Sequence, residues 1–186
     1  MRLQSGSYPA RRTYFHNDIF DGISMFEMVA DRSVPEWRMP PPADSHPILN
    51  LGAGNKRILG AISLDLPEWD ADAQPIPYPD GGVKAIYAIH FLEHVRDPRA
   101  VLRECQRVLI PGGILNIGLP HGRSDSNYND LDHKSHWGED TWKTTFDNPY
   151  YSKDHDGWKF EIGFNMVMAV AYRNLMIVTQ LIRTAD

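Results

Sequence analysis

The stretch Ile48-Leu49-Asn50-Leu51-Gly52-Ala53-Gly54 decides the fold, because it reads as a buried strand that ends in a glycine turn. A short apolar run that stops abruptly at glycine is typical of a parallel strand in an α/β protein. Gly52 and Gly54 permit positive φ and close approach, so successive backbone amides can converge on an anionic or polar group. The turn therefore indicates a site for a phosphate or for the polar part of a nucleoside cofactor.

An acidic residue, Asp65, stands at the end of the next apolar run, Ala61 to Leu66. A carboxylate at the tip of a neighbouring strand is placed to accept both hydroxyls of a ribose. Too few residues separate Gly54 from this second strand for a full crossover helix, so the first helix must be a single turn or absent. The turn and the acid together predict a nucleotide-type site at one sheet edge.

The composition sets bounds on the class of protein. A chain of 186 residues with a net charge of −5 and no lysine or arginine cluster fits one globular domain and argues against a duplex nucleic-acid partner. The single cysteine, Cys105, excludes an internal disulfide, and the absence of a leader or apolar span makes the cytoplasm the expected location, with no membrane partner. We expect residues 1–46 to form a helical and aromatic extension with a proline-rich linker before the domain, residues 47–186.

Several further elements follow in the order of a parallel α/β sheet. We predict strands at Val83 to Ile89 and Ile114 to Leu119, a helix that begins at Asp97-Pro98 and stops at Pro111-Gly112-Gly113, and a terminal antiparallel pair that turns at Tyr172-Arg173-Asn174. Residues 121–156 are rich in Asp, His, Asn and Ser, which predicts a polar insertion.

A polar cluster at residues 130–136 follows the Ile114 to Leu119 strand, on the edge where open α/β sheets bind ligands. His133 is our candidate general base, oriented by Asp132 or Asp130. Asp and His residues could equally hold a divalent metal ion, but no spacing here is diagnostic. A polar loop that caps its own backbone is the third possibility.

Four motifs in this order resemble the class I S-adenosylmethionine-dependent methyltransferases, and in particular a small type-11-like branch with a truncated first helix. The resemblance covers roughly residues 47–132 in detail and the terminal hairpin in outline. The motifs are Leu49-Asn50-Leu51-Gly52-Ala53-Gly54-Asn55, Ser63-Leu64-Asp65-Leu66, Leu92-Glu93-His94-Val95 and Arg107-Val108-Leu109-Ile110-Pro111-Gly112-Gly113.

The resemblance implies a fold, a cofactor and a set of site residues. The fold would be α/β and Rossmann-like, with a mainly parallel sheet of about seven strands and an antiparallel C-terminal strand. The cofactor would be S-adenosyl-L-methionine, with His90 near the reacting methyl group and with Glu93-His94 at the start of a structural helix. Cofactor contacts are expected from Leu51, Gly52, Ala53, Gly54, Asn55, Asp65, Leu66, Asp72, Ala73 and His90, and catalysis from His133, Asp132 and His90.

The expected activity is methyl transfer to an oxygen or nitrogen of a small-molecule or sugar acceptor. The alternative is a protein that binds the cofactor or its demethylated product without transfer. Lys56 in place of a third glycine and Lys84 in place of an acid favour the alternative, whereas the retained acids and the polar loop favour the enzyme. The sequence predicts no metal site and no oligomeric state.

Overall fold

A computed structural model describes residues 46–54, 58, 60–138, 140–142, 163–172 and 176–185. Six strands of the described residues form one sheet with two helices in its connections. The elements in chain order are β1 (Ile48–Leu51), β2 (Ala61–Leu64), β3 (Val83–Ile89), α1 (Pro98–Val108), β4 (Leu109–Pro120), α2 (Asp125–Tyr128), β5 (Phe164–Tyr172) and β6 (Met176–Arg183).

The sheet has the strand order β2-β1-β3-β4-β6-β5. Strands β2, β1, β3 and β4 pair in parallel, whereas β6 pairs antiparallel with both β4 and β5. The fold is therefore Rossmann-like α/β with a mainly parallel sheet and an antiparallel C-terminal pair, as the sequence predicts. The turn predicted at residues 172–174 falls where β5 ends, and residues 173–175 lie outside the described residues.

The connection from β1 to β2 is short, since β2 begins at Ala61 and pairs in register with Ile48 to Leu51. Gly52 donates its amide to the Leu64 carbonyl at 2.9 Å, which fixes the start of the turn against the end of β2. The prediction of a truncated first helix fits this crossover, although residues 55–57 and 59 lie outside the described residues.

The expected seventh strand is not found among the described residues. Residues 65–82, between β2 and β3, form turns that include Pro67, Pro75, Pro77 and Pro79. Proline lacks the amide hydrogen that a ladder needs, so this proline-rich segment cannot supply a regular strand beside β2. Among the described residues, the sheet therefore ends at β2, which is only four residues long.

Helix α1 begins and packs as its sequence predicts. The Asp97 carboxylate accepts the amides of Arg99 and Ala100 at 3.0 and 3.3 Å, and Pro98 occupies the first helical turn. This arrangement satisfies amides that have no partner inside the helix. One face of the helix is buried in the main core, through Val101, Leu102, Cys105 and Val108.

The strand after α1 starts earlier than predicted, at Leu109 rather than Ile114. The Pro111-Gly112-Gly113 segment lies within this strand. There the register of the β3–β4 pairing shifts, since Val83 pairs with Leu109 and Ala85 with Ile114. Farther along, the side chains of Asn116 and Gln180 form a buried hydrogen bond of 2.9 Å across the β4–β6 pair.

The first part of the predicted polar insertion contributes to the core. Trp137 and Trp142 are buried with ring centroids 5.1 Å apart, and His121 and Asn127 are buried polar residues. Residues 140–142 are helical, whereas residues 139 and 143–146 lie outside the described residues, as do residues 1–45. No helix in the described part of the chain has both the length and the apolar character needed to cross a bilayer.

Candidate cofactor and transfer site

The glycine turn lies where β1 ends and is shaped by Phe91. Gly52 and Gly54 have φ values of 61° and 52°, a region that favours glycine. A β-carbon at Gly52 would overlap the Phe91 ring, whereas a β-carbon at Gly54 would meet no atom within 4 Å. Gly52 is therefore required for packing, and Gly54 borders open space in which a ligand can approach the backbone.

Asp65 lies directly against this turn. One carboxylate oxygen accepts the amide of Gly54, and the other accepts the amide of Leu66 at 2.8 Å. Each carboxylate oxygen has two acceptor positions, so both can take a further hydrogen bond from a ligand hydroxyl. The predicted ribose acceptor and the predicted glycine turn are thus in contact.

His90 directly follows strand β3 and has an unusual backbone conformation. Its φ is 52°, which is uncommon for a residue with a side chain, while its amide donates to the Gly118 carbonyl at 2.8 Å. The ring nitrogen Nδ1 lies 3.2 Å from Oε1 of Glu93. Glu93 itself is fully buried, and its other oxygen, Oε2, has no hydrogen-bond partner among the described residues.

The loop after α2 is anchored to the turn that follows β3. The Lys134 amide donates to the Glu93 carbonyl at 2.7 Å, and the Lys134 ammonium donates to the carbonyl of His94. These contacts bring the ring of His133 to the ring of His94, with centroids 4.7 Å apart in an edge-on arrangement. Two distant segments of sequence therefore contribute to one site.

His133 is held by backbone and carboxylate partners. Its Nδ1 lies 3.0 Å from the carbonyl of Asn127, which requires Nδ1 to carry the hydrogen in the neutral ring. Its Nε2 lies 3.7 Å from Oδ2 of Asp130. Asp132 is exposed and its amide donates to Asp130, so Asp130 is the carboxylate that the structure places beside the imidazole.

A cavity of about 400 Å³ at the carboxyl edge of the sheet is bordered by the glycine turn and the three histidines, whereas Asp65 lies behind the turn and outside the lining. The strands β1, β3 and β4 all end at it. The cavity is lined by Gly52, Ala53, Gly54, Ile89, His90, Glu93, His94, Pro120, Ser126, Asp130 and His133.

Other predicted cofactor residues lie outside this lining. Leu51 is buried in the core, Leu66 is 67% exposed beside Asp65, Ala73 is exposed, and Asn55 lies outside the described residues. Asp72 accepts the Arg96 amide at 2.7 Å and pairs with the Lys134 ammonium at 3.3 Å. Burial raises the pKa of Asp72, but these two groups outweigh it and hold the pKa below its usual range. Asp72 therefore connects the turn after β3, through Arg96, with the loop after α2, through Lys134.

Glu93 and His94 line the cavity, although the sequence analysis assigned them no role in the site. The expectation was that this pair begins a structural helix, but residues 92–96 form turns and α1 begins only at Pro98. The available signal was position, because both residues come within five positions of the end of a buried strand, at the edge that binds ligands.

The comparisons with known proteins agree on a methyltransferase fold. Residues 51–117 match the family described as the methyltransferase domain. In a complex between the Haloferax volcanii Trm112 methyltransferase activator and a putative methyltransferase, one chain superposes with a TM-score of 0.55 and 14% identity over 79% of this chain and 86% of that one. The resemblance to class I S-adenosylmethionine-dependent methyltransferases is confirmed.

Two curated relatives share a short segment with this chain. The 27-O-demethylrifamycin SV methyltransferase of Amycolatopsis mediterranei is 44% identical over 26% of this chain, and the methyltransferase GfsG of Streptomyces halstedii is 45% identical over 30%. The matched segments span 18% and 19% of those relatives. The likeness is therefore to a short part of two methyltransferases and leaves the acceptor open.

Proposed function

We propose that this protein transfers a methyl group from S-adenosylmethionine to an oxygen or nitrogen of a small-molecule or sugar acceptor. The observation that carries the proposal is the cavity itself, where the glycine turn at one end of the site meets His90, Asp130 and His133 at the other. A cofactor-holding turn and a group that can accept a proton are the two parts that such a transfer needs.

The residues present suit the cofactor. The open space at Gly54 lets a polar ligand reach the turn, and the carboxylate of Asp65 can accept ribose hydroxyls while it keeps its two backbone partners. Leu66 offers an exposed apolar surface beside that carboxylate, which suits one face of an adenine ring. S-adenosylmethionine, when bound, supplies a methyl group that is already activated by its sulfonium sulfur.

The protein then has to position the acceptor and remove one proton. The hydrogen on His133 Nδ1 is engaged by Asn127, so the lone pair on Nε2 is available at the cavity. Asp130, 3.7 Å from Nε2, would stabilise the imidazolium that forms when the ring takes up the proton. His133 is the proposed base and Asp130 its orienting carboxylate, with His90 in contact with the acceptor.

A small acceptor is favoured over a macromolecule. The name of the Amycolatopsis relative specifies a small molecule, 27-O-demethylrifamycin SV, as its substrate. The net charge of −5 in this chain gives no basis for binding duplex nucleic acid.

The decisive experiment compares His133→Ala with the parent. Transfer of labelled methyl groups is measured on an acceptor found by screening hydroxylated and aminated compounds, while calorimetry measures cofactor affinity. We expect His133→Ala to bind the cofactor as the parent does and to lose about a hundredfold in kcat, the usual contribution of a general base. Asp125→Asn is the matched control, because Asp125 is an exposed acid on α2 that lies outside the cavity lining.

A second function, cofactor binding without transfer, has one specific observation in its favour. The [4+2]-cyclase SpnF matches 88% of this chain with a TM-score of 0.52 and 14% identity, so the fold also occurs in a protein named for another reaction. Equal turnover of His133→Ala and parent from about pH 6 to about pH 9 would reject the base. Cofactor binding with no transfer to any acceptor in the screen would favour this second function.

A further inference from the structure

Glu93 carries a buried oxygen that the described residues leave without a partner. The side chain is fully buried and lines the cavity, yet only Oε1 is engaged, by the His90 ring, and Oε2 has no hydrogen bond. A buried carboxylate oxygen without a partner is costly. A ligand from the cavity would remove that cost.

Two imidazoles complete a donor set around this carboxylate. One nitrogen of His94, one nitrogen of His133 and one carboxylate oxygen of Glu93 all lie within 4.8 Å of one another. The His133 nitrogen on the cavity side is Nε2, because the Asn127 carbonyl engages Nδ1. A ring whose far nitrogen donates to a carbonyl is the arrangement that orients histidine as a metal ligand.

We propose that Glu93, His94 and His133 bind a divalent transition-metal ion at the floor of the cavity. Donors around one such ion lie about 3 to 4 Å apart, so side-chain shifts of less than about 1 Å close the site. Two imidazoles and one carboxylate suit Zn²⁺ and its first-row neighbours, whereas Mg²⁺ prefers an all-oxygen set.

The surroundings of the cluster fit a cation. Asp130, with its carboxylate 3.7 Å from His133 Nε2, adds negative charge on the cavity side and can supply a further ligand. The cluster also joins the turn after β3 to the loop after α2, which Lys134 already holds together. A bound ion and the proton of the acceptor would compete for the same atom, His133 Nε2. Metal binding is therefore a separate property of the site and can be tested without the transfer reaction.

The test is metal binding by the full chain after chelator treatment. Co²⁺ is titrated with visible absorption as the readout, and Zn²⁺ with calorimetry, both without cofactor. We expect one ion per chain, unaffected by excess Mg²⁺. Glu93→Gln and His133→Ala should each weaken metal binding by about tenfold to a hundredfold or more, since the loss of a residue that only hydrogen-bonds a metal ligand already has an effect of that size. The affinity for the metal ion should also decrease as the pH is lowered, because the imidazoles become protonated.

The control variant is Asp125→Asn, which changes an exposed acid of α2 outside the cavity lining and should retain parental affinity within about twofold. Thermal unfolding of each metal-free variant shows whether it is folded. If Glu93→Gln does not fold, His94→Ala and His133→Ala decide the matter, because their rings border the cavity. Parental affinity in either folded variant, or no stoichiometric binding by the parent, would overturn the site.

Discussion

Asp65 connects the backbone of the glycine turn to the proposed ribose site through a single carboxylate. We expect Asp65→Ala to weaken S-adenosylmethionine binding by about 2–3 kcal/mol, because two hydrogen bonds to a charged acceptor are lost. Calorimetric titration measures the change. Asp65→Asn, which keeps one acceptor oxygen, should be intermediate.

The matched control for Asp65 is Glu68→Gln, an exposed acid three positions along the same turn. Its affinity should equal that of the parent. If Asp65→Ala binds the cofactor as tightly as Glu68→Gln, the ribose assignment is wrong, and Asp65 serves only to hold the turn.

Cys105 is a core residue of α1 and not a reactive thiol. Burial, assisted by the neighbouring Glu104 charge, raises the pKa of the Cys105 thiol far above its usual range. Since the thiolate is the nucleophile, we expect the native protein to resist alkylation by iodoacetamide at about pH 8 and to react fully once unfolded. Mass spectrometry counts the label, and rapid labelling of the folded protein would contradict the packing of α1.

At the scale of elements, Arg107 holds the proline-rich segment against α1. Its guanidinium donates to the carbonyls of Ile76 and Tyr78 at 3.0 and 2.9 Å, and to Glu104 at 2.8 Å. The segment has no strand ladder of its own, so these bonds supply partners to its backbone carbonyls, of which that of Ile76 also accepts the Tyr78 amide at 2.7 Å. The Arg107 side chain thus donates hydrogen bonds of the kind that a neighbouring strand would donate from its backbone.

We expect Arg107→Ala to lower the free energy of unfolding by about 2–3 kcal/mol, given several lost hydrogen bonds that involve a charge. The Arg107 bonds hold the pKa of Glu104 below its usual value of 4.5. This contribution is therefore fully present above pH 4.5 and is lost as the pH falls through the lowered value. Denaturant unfolding across pH measures both effects.

The comparison variant is Arg103→Ala, which changes an exposed arginine on the same helix. It should cost much less, within the range of ordinary surface substitutions. Equal losses for Arg103→Ala and Arg107→Ala, or a loss for Arg107→Ala that persists unchanged in acid, would show that this network is not responsible, since alanine has the higher helix propensity of the two residue types.

Local signals predicted the elements that local chemistry controls. The cap at Asp97-Pro98 and the apolar run Val83 to Ile89 were both located correctly, because each depends on a few neighbouring residues. The burial of Trp137 and Trp142 depends on tertiary packing. No period or spacing in the sequence expresses that kind of contact.

The candidate site shows the same division. The contact between Gly54 and Asp65 follows from motif spacing, since adjacent parallel strands end at the same edge. The contact between His94 and His133 arises from the way Lys134 attaches its loop to the turn after β3. That attachment pairs the amide and ammonium of Lys134 with the carbonyls of Glu93 and His94, and because every sequence has such carbonyls, no motif marks the contact.

At the scale of the whole molecule, cofactor binding should stabilise the fold. With S-adenosylmethionine at about a hundred times its Kd, the linkage amounts to about 2.7 kcal/mol, and we expect the Tm to rise by about 5–10 °C. Differential scanning fluorimetry measures the shift. NADH is the matched control, since it shares the adenosine part but not the sulfonium, and a shift with NADH alone would reject the cofactor assignment.

The strand order has a consequence for how the chain assembles. Strand β6 follows β5 in the sequence but lies between β4 and β5 in the sheet. Strand β5 therefore joins the sheet only through β6, once β6 has been made and has paired with β4. Strands β4 and β6 are separated by some sixty residues of sequence, as the Asn116–Gln180 pair shows. Such long-range pairing is slow and leaves the edge of β4 open to other chains meanwhile. During synthesis, the hairpin is the part of this protein most exposed to misassembly.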